Sequence, residues 1–390
     1  MKVSGQCNDS YFIEKIGSEG IDRFGDIVYS DKNNVFITGE YGSDVTFLDN
    51  TTLKASDGKR QNKDGFIGLW DPVNSTVKWV KTIKHCNPSY SMALRMYEKT
   101  ENELFFGFVT NTCDSGVMWD GTTFNTNADH ALCRIDQSGK LLNLKAFDGA
   151  YVQDVKALND TLLVAAFSNS DTVVTANNQQ LWKARKESFT YALLNEQLKV
   201  LETKTVYGSN ENDFVKFFEK NGEVRFINFA NGNIKTSGGI TSSKGWSVYS
   251  VSNSGEFSKL KSYQIPHFYV ANFAPAEDGY YFNIATTDSI VLKDTTLYKV
   301  AGSDGENDYI VKFDENFTLR SAEVMYADAG FVSFRAMSNP RYGQIAVLGN
   351  FSNLNVGDQL TLNSNSPGQR SFALLLFKAE NGKLKLQDHK

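Results

Sequence analysis

The sequence predicts an all-β protein of the β-propeller class. Short apolar runs alternate with turns rich in Gly, Asn, Asp and Ser, and the 390 residues include 30 Gly, 28 Phe and 17 Tyr but only 6 Pro, which is typical of many short strands. Two series of strands also recur in step along the chain. A four-stranded antiparallel unit cannot bury both of its faces alone, whereas several units arranged radially pack face to face.

The best-defined copy of the repeat spans residues 11–83. It contains a short strand at 11–16, strands at 24–29 and 35–40, a long polar connection, a strand at 65–70 and a last strand that ends at Ile83. The strand at 11–16 is one more than a four-stranded unit needs. We therefore expect it to close the ring by pairing with the last blade.

Two strands of each unit align along the whole chain. The second strands read NNVFITGEY, NELFFGFVT, DTLLVAAFS, GEVRFINFA, DGYYFNIAT and GQIAVLGNF. The third strands read DGFIGLWD, DHALCRID, FTYALLNE, GWSVYSVS, NDYIVKFD and ALLLFKAE. Both series advance by about sixty residues per unit.

These repeats predict a single β-propeller domain over residues 1–390 with six blades, or alternatively seven. The predicted units are 17–83, 84–149, 150–209, 210–266, 267–327 and 328–390, with 1–16 as the closing strand. The segment KLKLQ at 383–387 is expected to be an extra strand or a frayed tail. Removing residues 1–16 is therefore expected to lower stability far more than trimming 383–390.

Several segments of the first unit resemble the SBBP repeat family, which is named for seven-bladed β-propellers. The resemblance lies in FIEKIGSEG, DKNNVFITGEY, the DVTF and TTL elements of the long connection, and DGFIGLWD. The fifth unit repeats it in DSIVLKDTTL and NDYIVKFDENFTL, whereas the third and fourth units lack the TTL element. The resemblance implies a propeller fold and no catalytic residues, because the motif consists of turn and packing positions.

Charge and apolar patterning exclude two classes of partner. The net charge of −5 is spread along the chain and leaves no basic stripe for nucleic acid. No apolar run approaches a membrane span, and MKVSGQCNDS has no signal core. We expect an extracellular or cell-surface protein whose signal has been removed, with a cytoplasmic protein as the alternative.

The cysteines bear on this location. Cys86 and Cys113 fall on the same face of the second blade and are predicted to form a disulfide that closes a loop of about 27 residues, worth about 3 kcal/mol. Cys133 lies in an apolar strand and is predicted to be a buried thiol. Cys7 is then unpaired, or bonded outside this chain.

The connections between second and third strands are predicted to form the binding surface. They are long and polar, and strand direction places them all on one face of a propeller, where loops on a rigid scaffold commonly carry recognition. They span residues 41–63, 111–128, 168–186, 230–243, 286–306 and 351–369. Trp119 and Trp182 lie in two of them and are expected at the surface, and Tyr90 and Tyr151 are candidate rim aromatics for stacking on sugars. The alternative for each ring is packing between blades.

A second candidate site lies at the axis. Alignment of the first strands gives a column of Val28, Arg95, Lys156, Lys216, Asn272 and Arg335. Four cations there would form a ring that attracts a carboxylate, phosphate or sulfate. The alternative is that they pair between blades with the nearby acids Asp26, Asp154 and Asp213.

No cofactor is expected. Asp304, Glu306 and Asp308 alternate in SDGENDY, but this segment lacks the longer calcium-loop run and its closing Glu, so calcium is only an alternative to a solvated turn. The scattered cysteines and histidines give no zinc motif. No G-x-S-x-G and no phosphate-binding glycine loop is present.

These observations favour a non-enzymatic recognition or adhesion propeller that binds a glycan or a protein through its long connections. One alternative is a hydrolase or lyase that holds an anionic substrate at the axial cations. The other is a structural subunit of a fibre, shell or larger secreted assembly.

Overall fold

The computed structural model describes most of the chain. The described residues are 23–29, 34–42, 44–46, 51–54, 64–71, 76–84, 95–99, 103–109, 117–124, 128, 130–177, 179–184, 188–207, 214–230, 234–236, 241–242, 245–263, 269–292, 295–300, 307–327, 332–338, 344–363, 371–380 and 383–389. Every regular element among them is a β-strand. No helix in these ranges is long and apolar enough to span a bilayer.

The described strands fall into six sets of six. The first two sets are β1 (Arg23–Tyr29), β2 (Val35–Tyr41), β3 (Val45–Thr46), β4 (Thr52–Leu53), β5 (Asp64–Asp71), β6 (Thr76–Lys84), and β7 (Arg95–Lys99), β8 (Glu103–Val109), β9 (Val117–Trp119), β10 (Thr122–Phe124), β11 (His130–Asp136), β12 (Leu141–Phe147). The next two are β13 (Ala150–Ala157), β14 (Leu162–Asn169), β15 (Val173–Ala176), β16 (Gln179–Lys183), β17 (Phe189–Asn195), β18 (Val200–Tyr207), and β19 (Phe214–Lys220), β20 (Glu223–Ala230), β21 (Ile234–Thr236), β22 (Thr241–Ser242), β23 (Gly245–Val251), β24 (Phe257–Tyr263). The last two are β25 (Tyr269–Ala276), β26 (Gly279–Thr286), β27 (Ile290–Val291), β28 (Thr296–Leu297), β29 (Asn307–Asp314), β30 (Leu319–Tyr326), and β31 (Val332–Ser338), β32 (Gln344–Phe351), β33 (Asn353–Val356), β34 (Leu360–Asn363), β35 (Ser371–Glu380), β36 (Lys383–His389).

Each set contains one antiparallel meander made of its first, second, fifth and sixth strands. The first strand of each meander contacts the first strand of the next, and β31 contacts β1, so that these strands form a closed ring. A closed ring of meanders defines a β-propeller. The first strand is therefore innermost in each meander and the sixth is outermost.

The meanders are not equally regular. Five of the innermost strands have seven or eight residues, whereas β7 has five and pairs with β8 at only three positions, with a register shift. The described residues thus give five regular blades, not the six or seven that the repeats predict, and the meander of β7–β12 is the irregular one. The predicted domain and unit bounds stay predictions.

The core is divided among the interfaces between successive meanders. Along β8, Leu104, Phe106 and Phe108 pack towards the first meander, whereas Phe105 packs towards the third. Side chains of a strand alternate between its two faces, and here both faces are covered. This is why the strands read as continuous apolar runs, as in other sheets that are buried on both sides.

All six long connections contain a short hairpin. Three of these hairpins, β9–β10, β21–β22 and β33–β34, join the outer edge of the preceding meander through β6, β18 and β30. The other three, β3–β4, β15–β16 and β27–β28, form two-stranded sheets of their own. Covering a sheet edge protects it from pairing with other chains, so the connections have a structural role in addition to any binding role.

In three meanders, the turn between the fifth and sixth strands accepts a hydrogen bond from the meander before it. Trp79 Nε1 donates to the carbonyl of Gln137 at 2.7 Å, and Arg134 donates to the carbonyl of Glu196 at 2.7 Å. The Tyr263 hydroxyl donates to the carbonyl of Glu315 at 2.6 Å. Three different side chains thus make the same kind of contact around the rim.

The two ends of the described chain differ from expectation. Strand β36 is the fourth strand of the last meander; Leu384 is buried, and the Leu386 N–H donates to Gln359 Oε1 at 2.7 Å. The expectation that residues 383–387 are an extra strand or a frayed tail is therefore wrong. The predicted closing strand at 11–16 lies outside the described residues.

Candidate functional site

The two tryptophans predicted at the surface are buried. Trp119 is 5% exposed and Trp182 is 4% exposed. Trp119 stacks on Phe106 with ring centroids 5.2 Å apart, and Trp182 packs against Phe167 at 5.1 Å. The expectation of exposed ligand-stacking rings is wrong for both, because the hairpins fold these rings into the interfaces between meanders.

Trp182 also completes a buried hydrogen-bond network. Its Nε1 donates to Asn169 Oδ1 at 3.0 Å. The Asn169 amide nitrogen in turn donates to the Ser188 carbonyl at 2.8 Å and lies 3.0 Å from Thr190 Oγ1. Buried polar groups need such partners, so this network fixes the hairpin β15–β16 against the start of β17.

β-Bulges in four of the innermost strands show which residues of the predicted axial column occupy equivalent positions. Register shifts place Asp26, Asp154 and Asn272 at the same point, directly after a bulge in β1, β13 and β25. Lys156 lies two residues further along β13, and Arg335 lies at the bulge of β31, between Phe334 and Ala336. Val28 likewise lies two residues after Asp26, so Val28 and Lys156 share a position that neither Asn272 nor Arg335 occupies. The six residues are therefore not one structural column.

The described cations of this set form ion pairs between neighbouring meanders. Lys216 Nζ lies 3.4 Å from Asp154 Oδ1, and Lys156 Nζ lies 4.0 Å from Glu219 Oε2. Asp154 also accepts the Phe217 N–H. Burial raises the pKa of Asp154, while Lys216 and backbone N–H groups act to lower it. This is the arrangement named in the alternative to an anion-binding ring.

The other members of the set have different surroundings. Val28 packs against the apolar cluster between the first two meanders. Asn272 Oδ1 accepts the N–H of Phe273 at 2.7 Å, as Asp26 Oδ1 accepts that of Ile27 at 2.9 Å. Arg95 and Arg335 lie on β7 and β31, and their side chains lie outside the described part of the chain.

The remaining predicted residues divide in the same way. Tyr151 is half-buried and contacts His130 edge-on with ring centroids 6.1 Å apart. Cys133 is a buried free thiol, as predicted, and burial raises its pKa. Tyr90, Cys86, Cys113 and Asp213 lie outside the described residues.

The segment considered for calcium is only partly described. Asp304 and Glu306 lie outside the described residues, whereas Asp308 is fully buried and its Oδ2 accepts the Phe334 N–H at 2.9 Å. Asp308 thus faces the next meander. Within the described ranges, no three His, Cys, Asp or Glu side chains come together as a metal site would need.

The candidate site is a groove on the outer rim, which we call the rim groove. It has a volume of about 740 Å³ and lies between β6 with its added hairpin β9–β10 and the outermost strand β12. Its lining consists of Lys81, residues 119–120, Thr122, Phe124, residues 138–146 and Asn177. Two of the long connections predicted to carry recognition, 111–128 and 168–186, therefore meet at this groove.

The lining of the rim groove is mixed in chemistry. Lys81 pairs with Asp120 across the junction of β6 and the hairpin, with Nζ 2.5 Å from Oδ2. Leu142 is 42% exposed, and Thr122 and Ser138 are also exposed. Such a surface offers apolar contact and hydrogen-bonding groups together, as ligand sites do.

Sequence patterning did not single out the groove. Leu141 and Leu144 of β12 pack against the core between the first two meanders, and Leu142 faces outward. The signal is the pair of leucines in LLNLKAF. Leu142 is the extra residue of a β-bulge between Leu141 and Asn143, and a bulge interrupts the alternation of side chains. An apolar residue on the solvent side of an outermost strand is the clue.

The fold and the groove together define a β-propeller with a groove on its rim. No protein-family model matches the chain, and no curated protein matches it, so membership of the SBBP family remains a resemblance. Among solved structures, the chain is similar to the Dos1 propeller at 10% identity and a TM-score of 0.40, with 92% of this chain and 82% of that chain covered.

It is also similar to the Pyrococcus horikoshii acylaminoacyl peptidase, at 12% identity and a TM-score of 0.39, with 94% of this chain and 52% of that chain covered. The chain thus spans about half the length of the peptidase. Rhamnogalacturonan lyase YesW is similar at 12% identity and a TM-score of 0.33, with 94% of this chain and 82% of that chain covered. Likenesses this remote carry no argument about function.

Proposed function

We propose that this chain is a non-enzymatic recognition propeller that binds a glycan or protein ligand in the rim groove. The observation that supports this is the meeting of two long connections at a groove of about 740 Å³. The walls of the groove are strands and hairpins held by buried tryptophans, so the surface is preformed. A preformed concave site loses little conformational entropy on binding.

The alternative of an enzyme that holds an anion at the axis has less support. Its two described cations, Lys156 and Lys216, both form ion pairs with acids of a neighbouring meander. A substrate anion would have to displace these acids, one of which, Asp154, is buried. No specific observation favours the fibre or shell subunit.

The test uses arrays of glycans and of peptides and two matched variants. Leu142 and Leu201 are each the second residue of an outermost strand and are 42% and 52% exposed, but only Leu142 lines the rim groove. Leu142→Asp should lower array binding at least about tenfold, as the loss of a central apolar contact does. Leu201→Asp should leave binding unchanged. Equal binding by wild type and Leu142→Asp would place the ligand elsewhere.

Two further expectations belong to the same proposal. We count the irregular meander of β7–β12 as a sixth blade, which is supported by the contacts of β7 with both β1 and β13. We also propose an extracellular or cell-surface location, with no nucleic-acid partner and no membrane insertion. Thiol counting under denaturing, non-reducing conditions tests that location, because a Cys86–Cys113 disulfide leaves two of the 4 cysteines free.

A further inference from the structure

The rim groove exposes the edge of a β-strand as well as side chains. Nine consecutive residues, 138–146, line it, whereas the face of a strand would contribute only alternate residues. In the order of its sheet, β12 is the terminal strand and has β11 as its only neighbour among the described strands. The groove therefore runs along a sheet edge.

Two contacts identify the backbone groups that face the groove. The Leu144 N–H donates to the side-chain oxygen of Asn143 at 2.8 Å. Asp148, four residues after Leu144, exchanges backbone hydrogen bonds of 2.9 and 3.0 Å with Thr175 of β15. Backbone groups of an antiparallel strand point inward and outward alternately, so those of Leu144 and Ala146 point outward, in line with Asp148.

Strand β15 thus begins to extend the edge of β12 and then turns away. One bridge at Asp148 forms, and the outward groups of Leu144 and Ala146 remain at the groove. The Leu144 N–H is held by the Asn143 side chain, which an incoming strand would displace. An incoming extended segment would continue this pairing to Leu144, close to the bulge residue Leu142, whose exposed side chain would contact the end of that segment. Strand addition of this kind provides affinity through main-chain hydrogen bonds.

The charge of the groove is opposite to that of the molecule. The whole chain carries −5, yet the groove is lined by Lys81, Lys140 and Lys145 against the single acid Asp120. Asp120 is paired with Lys81, and Lys145 forms no ion pair with a described residue. Complementary charge favours the encounter with an acidic partner, and it disfavours a second copy of this edge, which would bring lysines against lysines.

We propose that the ligand of the rim groove is an extended acidic segment of a partner protein, which adds to the outer edge of β12 as a further strand. This inference rests on the proposed function and narrows its ligand to a polypeptide. The carboxylate side chains of this acidic segment would lie beside Lys140 and Lys145, and the backbone of the segment would pair with Leu144 and Ala146.

The test measures binding of synthetic peptides to the full chain by fluorescence anisotropy. The probe alternates Glu with Thr and Val over eight residues. One control peptide has Lys in place of every Glu, and another carries N-methyl groups on alternate backbone amides, which removes the donors that strand pairing needs. The acidic peptide should bind, the other two should bind at least about tenfold more weakly, and added salt should weaken binding.

Protein variants locate the peptide. Lys140→Glu should weaken binding at least about fivefold through charge repulsion. Lys199→Glu is the matched control, because Lys199 occupies the same place after the turn that precedes β18 and does not line the groove. Equal binding of the N-methylated peptide, equal binding of the lysine peptide, or equal loss in both variants would overturn the proposal.

The outcomes also separate this inference from the proposed function. If no peptide binds while Leu142→Asp still abolishes binding of a glycan from the array, the ligand is not a polypeptide and the rim groove remains the site. If neither peptides nor array ligands depend on Leu142, both proposals fall. Concentration-dependent dimerisation that Lys140→Glu alters would replace the partner protein by a second copy.

Discussion

Single residues in the turns before the outermost strands decide how neighbouring meanders fit. The residue at the left-handed position of this turn is Gly139, Leu198, Gly255 and Phe317 in four successive meanders. Where this residue is glycine, a large side chain of the preceding meander packs against it: Trp79 against Gly139 and Leu193 against Gly255. Where it is Leu198 or Phe317, that side chain is itself buried. The interface is filled from one side or the other.

Gly139→Ala should be more destabilising than its backbone angle alone requires. A Cβ at Gly139 would lie 2.9 Å from the Trp79 ring at φ +78°, whereas one at Gly222, with φ +74°, meets nothing within 4 Å. Both substitutions carry the left-handed cost of about 1–2 kcal/mol, and overpacking adds about 1–3 kcal/mol at Gly139. Denaturant unfolding measures both, and equal losses would contradict the packing account.

The ion pair between Lys220 and Glu315 should add to stability only above acidic pH. Lys220 Nζ, on a buried side chain, lies 2.5 Å from Glu315 Oε1, and this hydrogen bond and charge lower the pKa of Glu315 below its ordinary 4.5. A lowered carboxyl pKa stabilises the folded state above the unfolded pKa, and that contribution is lost as the pH falls through the folded pKa.

Glu315→Gln should therefore lower the free energy of unfolding by about 1–2 kcal/mol at pH 7. This is less than the loss of a fully buried ion pair would cost, because the Glu315 side chain is half exposed to solvent. The difference from wild type should shrink as the pH falls below about 4. Unfolding curves at pH 7 and pH 3 measure this, and a difference that grows in acid would refute the assigned sign.

At the scale of elements, the hairpins of the long connections are the main departure from the expected structure. They were predicted to carry surface tryptophans, because polar connections on a propeller face commonly carry recognition. Instead β9 and β16 place Trp119 and Trp182 between meanders. A tryptophan among polar residues gives no indication in sequence of whether its hairpin folds inward or outward, since that depends on contacts with another unit.

Trp182→Phe should cost about 1–3 kcal/mol, because it leaves the buried Asn169 Oδ1 without its indole donor. Trp119→Phe is the matched control, since Trp119 is equally buried and the substitution removes only packing area. Thermal or denaturant unfolding of both variants measures the difference. If the two losses are the same, the Asn169 network does not hold the hairpin.

At the scale of the whole molecule, the last strand is expected to be essential. Truncation after residue 382 removes β36 with the buried Leu384 and should lower stability by more than about 3 kcal/mol, given the apolar area exposed and the main-chain hydrogen bonds lost. Truncation after residue 386 keeps Leu384 and should cost much less. Calorimetry distinguishes the two, and equal melting temperatures would show that β36 does not complete the last sheet.

Repeat periodicity was sufficient to predict the propeller, because the same strand pattern returns along the chain and only a closed arrangement buries both faces of each unit. It was insufficient for the axial column, because Asn272 directly follows the bulge of β25 whereas Lys156 lies two residues beyond the equivalent point of β13, and the apolar pattern alone does not mark where a bulge falls. The rim groove was also not predicted. It is formed by β6, a hairpin and β12 from different units, and no local pattern records that juxtaposition.

The ligand of this propeller is expected to bind at the rim groove and not at the axis. Hydrogen–deuterium exchange with the strongest array ligand tests this most directly. Binding at the rim groove should slow exchange in β12, at Leu144 and Ala146 above all, and in the hairpin β9–β10, with no change in β13 and β19. Slowed exchange confined to β13 and β19, which carry Lys156 and Lys216, would contradict it and place the site at the axis.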